Sequence, residues 1–234
     1  MPILINHRLI FNQMLFSQAC MLCAAYDGGH LAVCSACLND LPWQLKTTCP
    51  KCALPSYDNQ LCGNCLKSQP AFDITRALFR YDYPLDTMLQ RYKYQQTLHI
   101  AKTFSALMKE AFSPITSFDR MIPMPLHPRR LAERGFNQSL EIAKELAKKL
   151  QLQLDTKSCS RIKFTPPQAS LPLKTRVKNM RGAFQCHQDL SGQRIVLLDD
   201  VMTTGASLHE LAATVKSAGA SHVECWVVAR TLAK

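Results

Sequence analysis

An apolar run, Ile195 to Leu198, ends in two adjacent aspartates, Asp199 and Asp200. Val201-Met202 and then Thr203-Thr204-Gly205-Ala206-Ser207 follow. Beyond them Leu208, Leu211, Ala212 and Val215 recur at the i, i+3, i+4, i+7 spacing of a helix with one buried face, and Gly219 is placed to cap it. Val223 to Val228 reads as a further buried strand. Strand, loop, helix and strand in that order make a right-handed crossover and predict a parallel sheet. Upstream, Phe72 to Tyr81 alternates in part, as a strand does, and stops at Tyr83-Pro84. Leu85 to Tyr94 and Leu98 to Phe112 read as helices, and Asp119 to Pro125 as a buried strand stopped by prolines. Asn137 to Leu150 reads as a helix with Leu140, Ala143, Ala147 and Leu150 on its apolar face, and Leu152 to Thr156 as a strand. The predicted class is α/β: a parallel sheet with helices on both faces.

The first 69 residues follow another logic. Four CxxC pairs, Cys20/Cys23, Cys34/Cys37, Cys49/Cys52 and Cys62/Cys65, are separated by ten, eleven and nine residues. Two such turns present the four sulfurs that zinc prefers, and eight ligands make two closed, structural sites with no position left for water. Redox dithiols or an iron–sulfur cluster are the alternatives, and four evenly spaced pairs suit neither. Sequential pairing of the turns is expected, although a cross-braced arrangement satisfies the same spacings. A segment this poor in large apolar residues needs metal to fold. We therefore expect a double zinc ribbon over 1–69, a boundary at Gln69-Pro70, and a second domain over 70–234. The mildly apolar first nineteen residues, interrupted by Asn6, Asn12 and Gln13, make a poor signal peptide and are read as a short docking helix.

Composition narrows the class. The 234 residues are 47% hydrophobic and 19% charged, ordinary for a folded protein, and no run of eighteen apolar residues suggests a membrane span. Clustering of eight of the eleven cysteines in metal-type pairs favours a cytoplasmic protein over a disulfide scaffold. Net charge is +11, and +10 of it falls after residue 69. From Thr156 to Gln188 there is no acid, against seven bases: Lys157, Arg161, Lys163, Lys174, Arg176, Lys178 and Arg181. Pro166, Pro167 and Pro172 break the middle, so this segment is expected to be a basic loop or lid. Such a surface suits a polyanion, either nucleic acid or a phosphorylated ligand. The string Arg91-Tyr92-Lys93-Tyr94 interleaves bases and aromatics as single-strand binders do, but Tyr92 packed inward with Arg91 and Lys93 solvated explains it more simply.

The chemistry concentrates after Leu198. A helix starting near Ala206 offers unpaired N–H groups and a positive dipole end, Thr203, Thr204 and Ser207 add hydroxyls, and Gly205 lets the backbone come close. That set suits a phosphate monoester, while Asp199 and Asp200 suit ribose hydroxyls or a magnesium shared with the ligand. There is no GxxxxGK and no GxGxxG. The loop after Pro125 carries His127, Arg129, Arg130 and Arg134. In an open parallel sheet it and the Asp199 loop would wall one crevice beyond the strand ends.

Four apolar residues, two acids, two apolar residues and TTGAS look like the phosphoribosyl-pyrophosphate (PRPP) signature of type I phosphoribosyltransferases. The resemblance implies that Asp199 to Ser207 forms the PRPP site: Thr203, Thr204, Gly205, Ala206 and Ser207 on the 5-phosphate, Asp199 and Asp200 on the ribose, Val201 and Met202 between them, and magnesium nearby. It puts Leu126, His127 and Arg129 in the pyrophosphate loop and the basic segment before Arg181 in the flexible catalytic loop. The cysteine-rich N-terminus joined to PLHPRRLAERGFNQ and then DDVMTTGAS resembles the ComF family of competence proteins, from about Cys20 to Thr231. This resemblance implies a PRPP-binding protein that handles single-stranded DNA in natural transformation. Its place would be the cytoplasmic side of the inner membrane, beside a DNA-uptake helicase. Arg129, Arg130, Arg134, Lys163, Lys174, Arg176, Lys178 and Arg181 are the candidate DNA contacts. The competing class is an active phosphoribosyltransferase acting on a base or nucleic acid. The sequence supports binding better than turnover, since no hood with a placed acid or base is evident.

Overall fold

The computed structural model describes residues 18–95, 98–112, 117–164 and 180–232, and the chain divides into two units, Met1–Leu41 and Pro42–Lys234. The helix expected over the first nineteen residues lies almost wholly outside the described residues, as does the middle of the basic segment, 165–179.

The described part of the first unit is built around Cys20, Cys23, Cys34 and Cys37. Met21 N–H donates to Ala32 at 2.9 Å and Val33 N–H to Gly28 at 3.0 Å, which folds the two CxxC turns together. Gly28 is required there, because a Cβ would lie 2.7 Å from the Gln18 carbonyl oxygen. Cys34 caps the short helix α1 (Ser35–Asn39), its sulfur accepting from Cys37 N–H at 3.4 Å.

The second unit is organised by a five-stranded, wholly parallel sheet in the order β1-β7-β6-β2-β3. Its strands are β1 (Ile74–Arg80), β2 (Arg120–Pro123), β3 (Gln153–Leu154), β6 (Arg194–Met202) and β7 (His222–Arg230). Parallel strands need crossovers, and the helices between them cover both faces. These are α3 (Leu85–Gln95), α4 (Leu98–Ala111), α5 (Pro128–Arg134), α6 (Gln138–Leu150) and α7 (Ala206–Ser217), α2 (Gly63–Lys67) preceding the sheet. Strand residues alternate between faces. Ile195, Leu197, Val223, Cys225 and Val227 pack with Leu208, Leu211, Ala212 and Val215 of α7 in one buried cluster. On the other face Trp226 meets Phe112 and Phe118 edge-on, with ring centroids 5.5 and 5.7 Å apart.

The outer edge of β1 is covered by the chain before residue 70. Gln44 N–H donates to Leu78 at 3.1 Å, Arg80 N–H to Pro42 at 2.7 Å, and Thr75 N–H to Pro50 at 2.9 Å. Thr75 Oγ1 also donates to the Lys51 carbonyl at 2.6 Å. An uncovered edge strand is a pairing hazard, and this segment closes it. Gln69 and Pro70 lie within the second unit, in which the Pro50, Lys51 and Cys52 carbonyls accept from Thr75 of β1 and Arg230 of β7.

Two segments read as loops are regular. His127 caps α5, accepting from Arg129 N–H at 3.2 Å, Pro128 opens it, and Gly135 ends it at φ 77°. The ends of the acid-free segment pair as an antiparallel ribbon of β4 (Cys159–Arg161) and β5 (Phe184–Cys186).

Candidate functional site

Asp199 and Asp200 stand near the carboxyl end of β6, and each has a partner from a different helix. Ser139, in the first turn of α6, donates its hydroxyl to Asp199 Oδ1 at 2.9 Å. Lys93, near the end of α3, places its ammonium 2.8 Å from Asp200 Oδ2. The side chains of Lys93 and Asp200 are only 22% and 13% exposed, so the attraction is weakly screened. Burial raises both carboxyls. Asp199 stays raised because the Asp200 charge adds to burial, whereas for Asp200 the Lys93 ammonium, together with Val201 N–H and the Arg134 charge, outweighs burial and holds the carboxyl below its usual range. One acid is thus kept ionised by a built-in cation, while its neighbour takes a proton more readily than an ordinary carboxyl. Arg134 lies close enough to help hold Asp200 ionised, and the Asp199 charge reaches Arg161.

The residues after Met202 turn sharply into α7. Gly205 sits at φ 79°, so backbone shape demands glycine, while the atom a Cβ would meet at 2.7 Å, Met202 Cε, is the movable end of a side chain. Thr204 Oγ1 accepts from Ala206 N–H at 3.2 Å and orders the first turn. Asp199 and residues Val201 through Leu208 line a small cleft of about 30 Å³. Its donors are hydroxyls and the free N–H groups of a helix start, the set that holds a phosphate oxygen cluster without a metal.

The second wall follows β2. Asn137 Nδ2 donates to the Met124 carbonyl at 3.0 Å and pins the loop between them. Leu126, Pro128, Asn137, Asp155 and Arg161 border a cavity of about 250 Å³ beyond the ends of β2 and β3. His127 and Arg129 both lie against the Phe164 ring, at 5.4 and 5.5 Å. Arg134 Nη1 donates to Gln138 Oε1 at 3.0 Å, and Arg130 pairs with Glu133 at 2.9 Å. Lys163 reaches across the ribbon to the Arg181 carbonyl at 2.5 Å. The structure thus groups His127, Arg129 and Phe164, and separately Lys163 with Arg181. Lys174, Arg176 and Lys178 lie outside the described residues.

Sequence reasoning missed Lys93, Ser139 and Arg161 as site residues. Tyr92 is fully buried and donates its hydroxyl to the Gln138 carbonyl at 2.9 Å, as expected of an inward tyrosine. Lys93, expected in solvent, is turned to Asp200 instead. Ser139 was available as a signal: the buried stripe of α6 is Ser139, Ile142, Ala143, Leu146 and Ala147, rotated from the predicted Leu140/Leu150 face. A serine on an apolar stripe needs a partner, and Asp199 supplies it.

The cysteines form two sets, Cys20/Cys23/Cys34/Cys37 and Cys49/Cys52/Cys62/Cys65, with the four sulfurs of each within 4.8 Å of one another. Sulfurs bound at about 2.3 Å around a tetrahedral zinc stand about 3.8 Å apart. Cys23 to Cys34 at 3.7 Å and Cys52 to Cys62 at 3.5 Å fit that edge, so each set suits one structural zinc in the sequential arrangement. Among the described residues no helix is long and apolar enough to cross a membrane.

Residues 11–66 match the double zinc ribbon domain family, and residues 137–234 match the phosphoribosyl transferase domain family. The DNA utilization protein YhgH of Escherichia coli (strain K12) is 32% identical over 211 residues, covering 87% of this chain and 92% of that one. The competence protein F of Haemophilus influenzae is 30% identical over 217 residues, covering 86% and 93%. The competence protein ComFC of Bacillus subtilis is 26% identical over 186 residues, covering 76% and 75%.

Proposed function

Because the chain belongs to the family of the DNA utilization protein YhgH and competence protein F, we propose that it binds PRPP and handles single-stranded DNA taken up in natural transformation. The observation that carries the PRPP half is the pairing of two acids, one held ionised by Lys93, with a hydroxyl-rich helix start one turn away. Thr203, Thr204, Gly205, Ala206 and Ser207 take the 5-phosphate, and Asp199 and Asp200 take the ribose hydroxyls. These carboxylates would also hold magnesium together with the ligand's oxygens. Leu126, His127 and Arg129 stand on the pyrophosphate side.

The DNA half rests on the surplus of +10 after residue 69 and on Arg129 stacked on Phe164, a cation beside an aromatic face. Arg130, Arg134, Lys163, Lys174, Arg176, Lys178 and Arg181 extend the cationic track. This role places the protein in the cytoplasm, beside a DNA-uptake helicase at the inner membrane. Turnover of PRPP is a second step that the same site would have to perform on an acceptor, and the test below separates it from binding.

Purified protein titrated with PRPP and magnesium should give saturable binding, and Asp199→Asn/Asp200→Asn should lose it by at least about a hundredfold while keeping two zincs per chain. Unchanged affinity in that variant would place the ligand elsewhere. A single-stranded oligonucleotide titrated into the same samples tests the DNA half, and release of pyrophosphate would mark a transferase.

A further inference from the structure

Arg230, the last residue of β7, is a buried guanidinium with an unusual set of partners. It is 3% exposed, and among the described residues no carboxylate pairs with it. Its Nε donates to the Cys52 carbonyl at 2.7 Å. Its Nη1 donates to the carbonyls of Met202 at 3.0 Å and Thr231 at 2.9 Å, and to that of Thr203. One end of the side chain therefore grips a metal-ligand turn, and the other grips the first residues of the TTGAS loop. Between these two places lies a cavity of about 640 Å³ bordered by Cys52, Cys65, Thr204, Gly205 and His209. The guanidinium crosses beside that gap.

A buried cation needs a counter-charge, and carbonyl oxygens supply only partial ones. The Nε contact of Arg230 on the Cys52 carbonyl brings it to the second cysteine set, where the charges of the Cys52, Cys65 and Cys62 sulfurs favour its cationic form. Four thiolates around one zinc keep a net charge of two minus. The metal-loaded second cysteine set is thus the natural counterion of Arg230.

We propose that Arg230 is a positioning residue that makes the phosphate-binding loop depend on zinc at Cys49, Cys52, Cys62 and Cys65. With the set loaded, the guanidinium stays buried and fixes the Met202 and Thr203 carbonyls. Peptide planes are rigid, so fixing those carbonyls orients the N–H groups of Thr203 and Thr204 on their far sides. Both residues line the cleft at Gly205. Without the metal the cation loses its counter-charge, and the loop loses its anchor. This coupling rests on the reading of the loop as a PRPP site, and linkage makes it reciprocal: PRPP must hold the second zinc as firmly as the zinc holds the loop.

The test follows zinc release to a chelator with a colorimetric indicator, on the full chain. In the unaltered protein, saturating PRPP with magnesium should slow release of one of the two zincs at least about fivefold and leave the other unchanged. Equal release with and without PRPP overturns the coupling. Arg230→Met should release one zinc faster without any ligand and bind PRPP about tenfold more weakly, with Arg230→Lys restoring part of both. Arg230→Met that keeps the normal affinity and release also overturns it. If the unaltered protein binds no PRPP, the proposed function fails, and the ligand-free release rates of the Arg230 variants alone decide the link between Arg230 and the zinc.

Discussion

Lys93 shows how much one side chain can set. Its ammonium sits between α3 and the end of β6, and the two adjacent carboxylates there would repel each other without it. Lys93→Met should remove the attraction that holds Asp200 ionised and push the pair's proton affinity up. The sign follows from linkage: a carboxyl raised above its unfolded value contributes stability at low pH and loses it as pH rises. Urea unfolding should therefore show a loss of about 1–3 kcal/mol at pH 8 and a smaller one at pH 6. Equal losses at both values would mean that the ion pair does not govern the site.

At the scale of elements, Asp155 is the joint between β3 and β4. It is 7% exposed and accepts from Ser158 N–H at 2.9 Å, Lys157 N–H at 3.0 Å and Arg120 Nη1 at 2.8 Å, with the Ser158 hydroxyl as a further donor. Burial opposes its charge, but these hydrogen bonds outweigh it and hold the carboxyl at about 2. A depressed carboxyl stabilises above its unfolded value, and that stability fades as pH falls from about 4 to 2. Asp155→Asn should cost about 1–2 kcal/mol near neutral pH and flatten the acid limb over that window, as followed by circular dichroism. Chain pattern announced the elements unevenly. The strands at Ile74–Arg80 and Arg194–Met202 and the apolar stripe of α7 were legible because each buries a long periodic face. The α5 helix was not, since PRRLAER carries almost no apolar stripe and depends on its His127 and Gly135 caps. The β4-β5 ribbon is three residues a side, too short for alternation to register. Cysteine spacing announced both metal sets, but nothing in it marked the second as part of the sheet's edge. Of the site, the motif residues of β6 and its loop could be read directly. Lys93 could not, because its pairing depends on a fold that brings two distant segments together.

For the whole molecule the charge imbalance carries a measurable consequence. If four to six of the cations after residue 69 neutralise phosphates of a single strand, log affinity should fall against log salt with a slope of about −3 to −4. Fluorescence anisotropy of a labelled oligonucleotide between low and high salt gives the slope, and a value near zero would rule out an electrostatic track. The sheet order has a different consequence, for the birth of the chain. β1 is synthesised early, yet its strand partner is β7, and Asp73 Oδ2 accepts from Val223 N–H, 150 residues later. Cys52 likewise waits 178 residues for Arg230. During translation β1 must remain without its strand partner, and the Cys52 carbonyl without Arg230, until those later segments have been delivered, exposed to mispairing and to chaperones meanwhile. The ligands of the first cysteine set, Cys20 to Cys37, are close in sequence, so that set can take its metal while the later strands are still being made.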